Sequence, residues 1–152
     1  MRKIQPRKLA AGALALGIVI QLVPYGRRHS NPMVTGEPPW DSGRTRALFF
    51  RACGDCHSND TRWPWYSHVA PVSWMLQSHV EEGRSKLNVS CWSVAMLDAG
   101  SNAERQIRRG KMPLRSYRLG HPEARLTDAE KAALMAGLKA TVEAAGTMDL
   151  EE

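Results

Sequence analysis

Five consecutive residues, Cys53-Gly54-Asp55-Cys56-His57, constrain this chain more than any other feature. In C-x-x-C-H, two thiols at the end of a helix reach the two vinyl groups of one porphyrin. The adjacent imidazole is then held beneath the ring, where it can bind iron. The motif therefore predicts one covalently attached haem c, joined through Cys53 and Cys56, with His57 as an axial ligand. A thiol–disulfide couple needs a βαβ setting, and no run of this chain alternates at period two. A zinc centre needs a second cysteine pair or a histidine pair. The chain has three cysteines, and the third, Cys91, stands alone; it reads as a small buried hydrophobe.

The sixth iron position is sought in the segment Lys111-Met112-Pro113, which follows Gly110 ahead of the last helical stretch. A thioether ligand must project from backbone that approaches the ring closely, and a proline-stiffened loop does this better than a helix face. Met112 is thus the expected second axial ligand, a soft neutral sulfur that raises the potential. Ordinary core filling is the alternative, and it suits Met75 and Met135 at their helical spacing. His68, His79 and His121 are rival ligands that would lower the potential, and an open position would suit peroxidase or gas-binding chemistry. Trp63, Trp65, Tyr66 and Trp74 follow the motif, either packing on a porphyrin face or forming an aromatic core patch. Arg62, Arg115 and Tyr117 are candidates for contact with haem propionates.

The formal charge is +6, and its distribution matters more than its size. Six basic residues and no acidic one fall in residues 1–30; beyond them, fifteen basic residues balance fifteen acidic ones. A neutral remainder lacks the basic stripe that phosphate binding requires, so no nucleic-acid partner is expected. The basic N-terminus flanks an uncharged run from Leu9 to Pro24 whose one polar side chain is Gln21. As a helix this run would span about 24 Å, a little short of the roughly 30 Å hydrocarbon core. A cleaved signal peptide is the rival reading, but the small-x-small site expected after it is missing. The run is read as an uncleaved transmembrane helix. The basic residues before it favour a cytoplasmic N-terminus. That predicts a single-pass protein of the cytoplasmic membrane with its haem domain on the periplasmic, extracytoplasmic side.

The expected organisation is an anchor or signal over residues 1–24, a linker over 25–41, a haem-binding domain over 42–145 and a tail over 146–152. Ser42 or Asp41 caps a helix from Gly43 to Cys53. Pro71 opens a second helix, with Val72, Met75, Leu76, His79, Val80, Gly83 and Leu87 on its buried face. Further helices are expected from Cys91, capped by Ser90, to Ala99 and from Asn102 to Arg109, the latter ended by Gly110. Thr127 and Glu130 form a capping box for a last helix to about Ala145. The fold class is all-α: four to five helices around one haem, preceded by the transmembrane helix.

The stretches CGDCHSNDTRWPWYSHVAPVSW, HVEEGR and KMPLRSYRLGHPEARLTDAE together resemble the bacterial haem-binding domain family, whose pattern runs C-x-x-C-H-S-N-[DE]-T-x-W-P-W-Y and continues to M-P-x-x-x-Y. The resemblance covers Asp41 to Lys139. It implies a cytochrome-c-like domain outside the cytoplasmic membrane with His57 and Met112 as axial ligands, and it names no partner. The chain departs from the pattern at Cys91-Trp92, where an acidic residue is expected before the tryptophan. The functional expectation is a membrane-tethered one-electron carrier, rather than an enzyme, serving redox partner proteins at the membrane. The alternatives are a haem-based sensor or structural haem module, and a small peroxidase or haem subunit of an oxidoreductase complex.

Overall fold

A computed structural model describes residues 5–148; the end of the expected tail, residues 149–152, and the basic residues Arg2 and Lys3 lie outside them. Among the described residues, seven α-helices follow one another: α1 (Pro6–Ile20), α2 (Gly43–Ala52), α3 (Gly54–His57), α4 (Val72–Lys86), α5 (Leu97–Arg108), α6 (Arg115–Gly120) and α7 (Asp128–Met148). Three short 3-10 turns lie between them. The described residues contain no strand, only an isolated parallel bridge between Gly36 and Cys91. The all-helical expectation stands, but the helices outnumber the expected four to five.

The transmembrane helix does not stand. No helix of the described residues is long and apolar enough to cross a membrane. Helix α1 has fifteen residues, which span about 22 Å at 1.5 Å each. It ends where Gln21 turns its amide onto Gly17 O and Ala70 O and accepts from the Ala70 N–H. The polar residue inside the apolar run is therefore a tertiary anchor that stops the helix. The single-pass placement in the cytoplasmic membrane, with a periplasmic haem domain, falls with the span.

The chain divides into two compact units, one formed by residues up to Ser30 with Trp63–His79, the other by Asn31–Arg62 with residues from Val80 onward. In the first, His29 stacks on Trp63 at 4.2 Å and lies 4.3 Å from the His68 ring. Ser67 and Ser73 are fully buried there, while Trp65 is exposed.

The second unit holds a core of Leu48, Phe49 and Ala52 from α2, Leu87 and Val89, Ile107 from α5, and Leu134 and Leu138 from α7. Helix α2 begins as expected, with the Ser42 hydroxyl accepting from Thr45 N–H. The box before α7 is also present: Thr127 N–H donates to Glu130 Oε2 at 2.8 Å, and Glu130 N–H to Thr127 Oγ1 at 3.2 Å. Other boundaries differ. Over residues 91–109, where two helices were expected, a 3-10 turn at Val94–Met96 leads into one helix, α5. Ser90 is spent on tertiary bonds instead of a cap: its hydroxyl accepts from Asn59 N–H and its carbonyl from Thr35 and Gly36 N–H. The loop expected after Gly110 contains α6. On α4, Val80 and Gly83 are buried as expected, whereas Val72 and Met75 are exposed.

Candidate functional site

Helix α2 delivers the chain directly into the cysteine motif. Cys53 is its C-cap, donating its N–H to Phe49 O at 2.7 Å, and Gly54–His57 makes one helical turn, α3. The residues directly after the turn hold it in place. Ser58, Asn59 and Thr61 are buried. The Ser58 hydroxyl donates to Gly54 O at 2.8 Å and the Thr61 hydroxyl to Asp55 O at 2.7 Å. Asn59 donates its side-chain amide to Met33 O at 3.0 Å and to Cys91 Sγ at 3.4 Å, and accepts from Asn88 at 2.9 Å.

The C-terminal part of α4 closes on the same turn. A Cβ on Gly83 would overlap the Cys56 carbonyl oxygen, so only glycine permits this approach. Arg84 donates from Nε to Ser58 O at 2.9 Å and from an η nitrogen to Thr61 Oγ1 at 2.9 Å. Just past the helix, Leu87 O accepts from His57 Nδ1–H at 3.0 Å, and Val89 N–H returns to His57 O at 2.9 Å. A proton on Nδ1 leaves Nε2 with a free lone pair, the tautomer that a metal-binding histidine needs. Burial lowers the His57 pKa against the opposing pull of the Leu87 and Gly83 carbonyls, so the ring is neutral at neutral pH.

A cavity of about 490 Å³ opens beside this turn, lined by Phe49, Cys53, His57 and Leu87 on one side and by α5 on the other. Helix α5 presents Asp98, Asn102 and Gln106, one turn apart, with Ala99, Ala103 and Ile107 alongside, and Met112 completes the wall. The volume lies within the roughly 300–1,000 Å³ of cofactor sites. Three of the four residues singled out from sequence, Cys53, His57 and Met112, therefore line one cavity. Cys56 is not among its lining residues and packs against Gly83. Burial pushes the Cys53 thiol up to about 12, helped by Cys56, and the Cys56 thiol to about 11, helped by Asp55. Reactive C-x-x-C couples shift the other way.

The other candidates go elsewhere. None of His68, His79 and His121 lines the cavity, and His121 stacks on Tyr117 at 4.1 Å. Trp63, Trp65, Tyr66 and Trp74 are likewise absent from its walls, whose one aromatic residue is Phe49. Arg62 and Tyr117 are engaged by Asp55, inside the cysteine motif: Tyr117 OH donates to Oδ2 at 2.6 Å and Arg62 Nε to Oδ1 at 3.3 Å. Arg115 is exposed. Sequence reasoning missed Asp98, Asn102 and Gln106, whose spacing of four marks a polar stripe on one helix face. It also missed the structural use of Ser58-Asn59-Asp60-Thr61, although such short polar side chains readily bond to nearby backbone.

The residues fit a haem on their own chemistry: one thiol, a neutral imidazole and a thioether meet at the cavity, and the second thiol lies on the same turn. Among the described residues, no group of three or more His, Cys, Asp or Glu side chains could hold a bare metal ion. No curated protein and no solved structure matches this chain. The family model of the Haem-binding domain matches residues 15–140, most of the sequence, so the chain belongs to the Haem-binding domain family.

Proposed function

We propose that this chain is a c-type haem protein carrying one electron at a time between redox partner proteins, with haem bonded to Cys53 and Cys56 and ligated by His57 and Met112. The cavity lined by Cys53, His57 and Met112 together is the observation that carries this reading. Haem, when bound, supplies the one-electron couple. Each thiol is kept protonated by its surroundings and so brings both the sulfur and the hydrogen that addition across a vinyl double bond consumes. His57 presents an unprotonated Nε2 because Leu87 O holds the proton on Nδ1. Met112 lines the same cavity as His57 and offers a thioether where a carrier needs its second ligand, which favours a carrier over an enzyme.

The test is expression alongside haem-maturation machinery, followed by denaturing electrophoresis and peroxidatic staining. A stained band whose mass includes one haem is expected, and Cys53→Ala with Cys56→Ala should abolish it. A colourless band from the unaltered chain overturns the proposal. In the ferric protein, the weak charge-transfer band of methionine-ligated haem should vanish in Met112→Ala while the covalent haem remains. Persistence of that band moves the axial ligand to another residue. Rapid cyanide binding by the unaltered protein would point to an open position and to the enzymatic alternative.

A further inference from the structure

Beyond residue 30 the chain is balanced in charge, but the balance is not local. Seven of the fifteen basic residues there lie between Arg105 and Arg125, and Glu123 is the one carboxylate in that stretch. Arg105, Arg109, Lys111 and Arg115 are all exposed, and none has an ion-pair partner among the described residues. Arg108 pairs with Glu104, and Glu123 is drawn to His121 at 3.2 Å and Arg62 at 3.8 Å.

Two of the unpaired cations adjoin residues of the cavity wall, a third, Arg109, caps the end of α5, and the fourth, Arg115, opens α6 three residues past Met112. Gln106 and Met112 line the cavity, Arg105 and Lys111 are their immediate neighbours in the chain, and Lys111 N–H donates to Gln106 O at 3.0 Å. Arg109 lies one helical turn from Arg105, on the same face of α5. Gly110, at φ +65°, turns the chain between them and Lys111. Asp98, the carboxylate that lines the cavity, belongs to the opposite end of α5. The cavity is thus bordered by positive charge at its Met112 end.

We propose that the surface bearing Arg105, Arg109, Lys111 and Arg115 is the docking face for an acidic surface of a redox partner protein. The inference rests on the haem reading above and specifies where and by what charge the partner approaches. Three of the four residues are arginines, whose planar guanidinium pairs two-fold with carboxylates. Their place beside the cavity brings a partner to the point where an electron would enter or leave. Complementary charge there accelerates encounter and fixes orientation. A domain with no net charge gains this steering only from a local patch.

Two measurements on the full-length protein test it, one of which needs no haem. Calorimetric titration with poly-L-glutamate should show binding that weakens about tenfold in R105E/R109E/K111E/R115E. K131E/K139E on α7 should leave it unchanged. With haem loaded and reduced, oxidation by the anion ferricyanide should slow as salt is added, and oxidation by the cation tris(phenanthroline)cobalt(III) should quicken. The quadruple reversal should invert both slopes. Effects in proportion to the charge reversed, the α7 pair causing about half the loss in binding free energy of the quadruple variant, would mean that only overall charge matters, which overturns the proposal. So would salt-independent rates in the unaltered protein, or binding to phosphatidylserine vesicles that the quadruple reversal abolishes, which would make the face lipid-directed. If the quadruple variant loses helicity, K111A and R115A carry the same test at smaller amplitude. Failure of the chain to acquire haem strikes the haem reading instead and leaves the glutamate arm to decide the patch.

Discussion

The turn that carries His57 and the segment that carries Met112 border the same cavity but are held in contrasting ways. Around His57, Ser58, Thr61, Arg84 and Leu87 each bond to backbone or ring of the turn, and the buried side chains of Asn59 and Asn88 bond to one another. Around Met112, the backbone is fastened mainly through Gln106 O, which accepts from both Lys111 and Met112 N–H. One side-chain bond links this segment to the turn: Tyr117 OH to Asp55. A turn fastened at many points is fixed before any ligand arrives, whereas a segment tied at few can yield. The contrast teaches that the two segments proposed to supply the axial ligands, His57 on the proximal side and Met112 on the distal side, differ in preorganisation.

The strongest way to break this contrast is at Gly83. Gly83→Ala drives a methyl into the Cys56 carbonyl, and unfolding of the helical signal should show a loss of about 3 kcal/mol. A loss no greater than that of an exposed alanine substitution would show that α4 can withdraw from the turn. Next comes Asn59→Ala, which leaves Met33 O and the Asn88 amide without their partner; denaturant melts should register about 2 kcal/mol. Tyr117→Phe probes the distal side and should cost about 1 kcal/mol. Its sharper readout is imidazole binding to the ferric protein, which should tighten about fivefold if the Met112 segment is loosened. Unchanged imidazole affinity would separate the Tyr117–Asp55 bond from the cavity.

The smallest effect lies away from both segments. Arg51, beside Glu130 at 2.5 Å, and the Thr127 N–H hold the Glu130 carboxyl down at about 2. A folded-state pKa below the unfolded one stabilises the fold above the unfolded value. That stability should fade as pH falls from about 4.5 toward 2. Comparison with Glu130→Gln across that window isolates the contribution, and identical acid profiles would refute it.

These features differ in how legible they are from sequence. Ser42 and the Thr127–Glu130 box announce themselves because capping is local: donor and acceptor are three residues apart. Cys53 and His57 stand out in sequence because C-x-x-C-H is a fixed spacing, and Met112 because glycine and proline mark an irregular approach; the structure brings the three to one cavity. Ser90 misleads because its hydroxyl is used by Asn59, thirty-one residues away. The Leu9–Pro24 run misleads for a related reason. Its apolar side chains, such as Leu14 and Leu16, are exposed, and Gln21, the cap of the helix, bonds to Ala70. Nothing in the sequence near Gln21 announces that partner.

Along α4 and its exit, positions 83, 84 and 87 touch the Cys56 carbonyl, the Ser58 carbonyl and the His57 ring in succession. Gly83 and Arg84 lie on one stripe of the helix, and Leu87 is the first residue past its end. A single-residue insertion anywhere upstream in α4 that displaced this stripe would swing it by about 100° and slide it about 1.5 Å, unhooking three fastenings at a stroke. Point changes on the outward side of α4 leave that stripe where it is, so evolution can repaint this helix freely but can scarcely lengthen it.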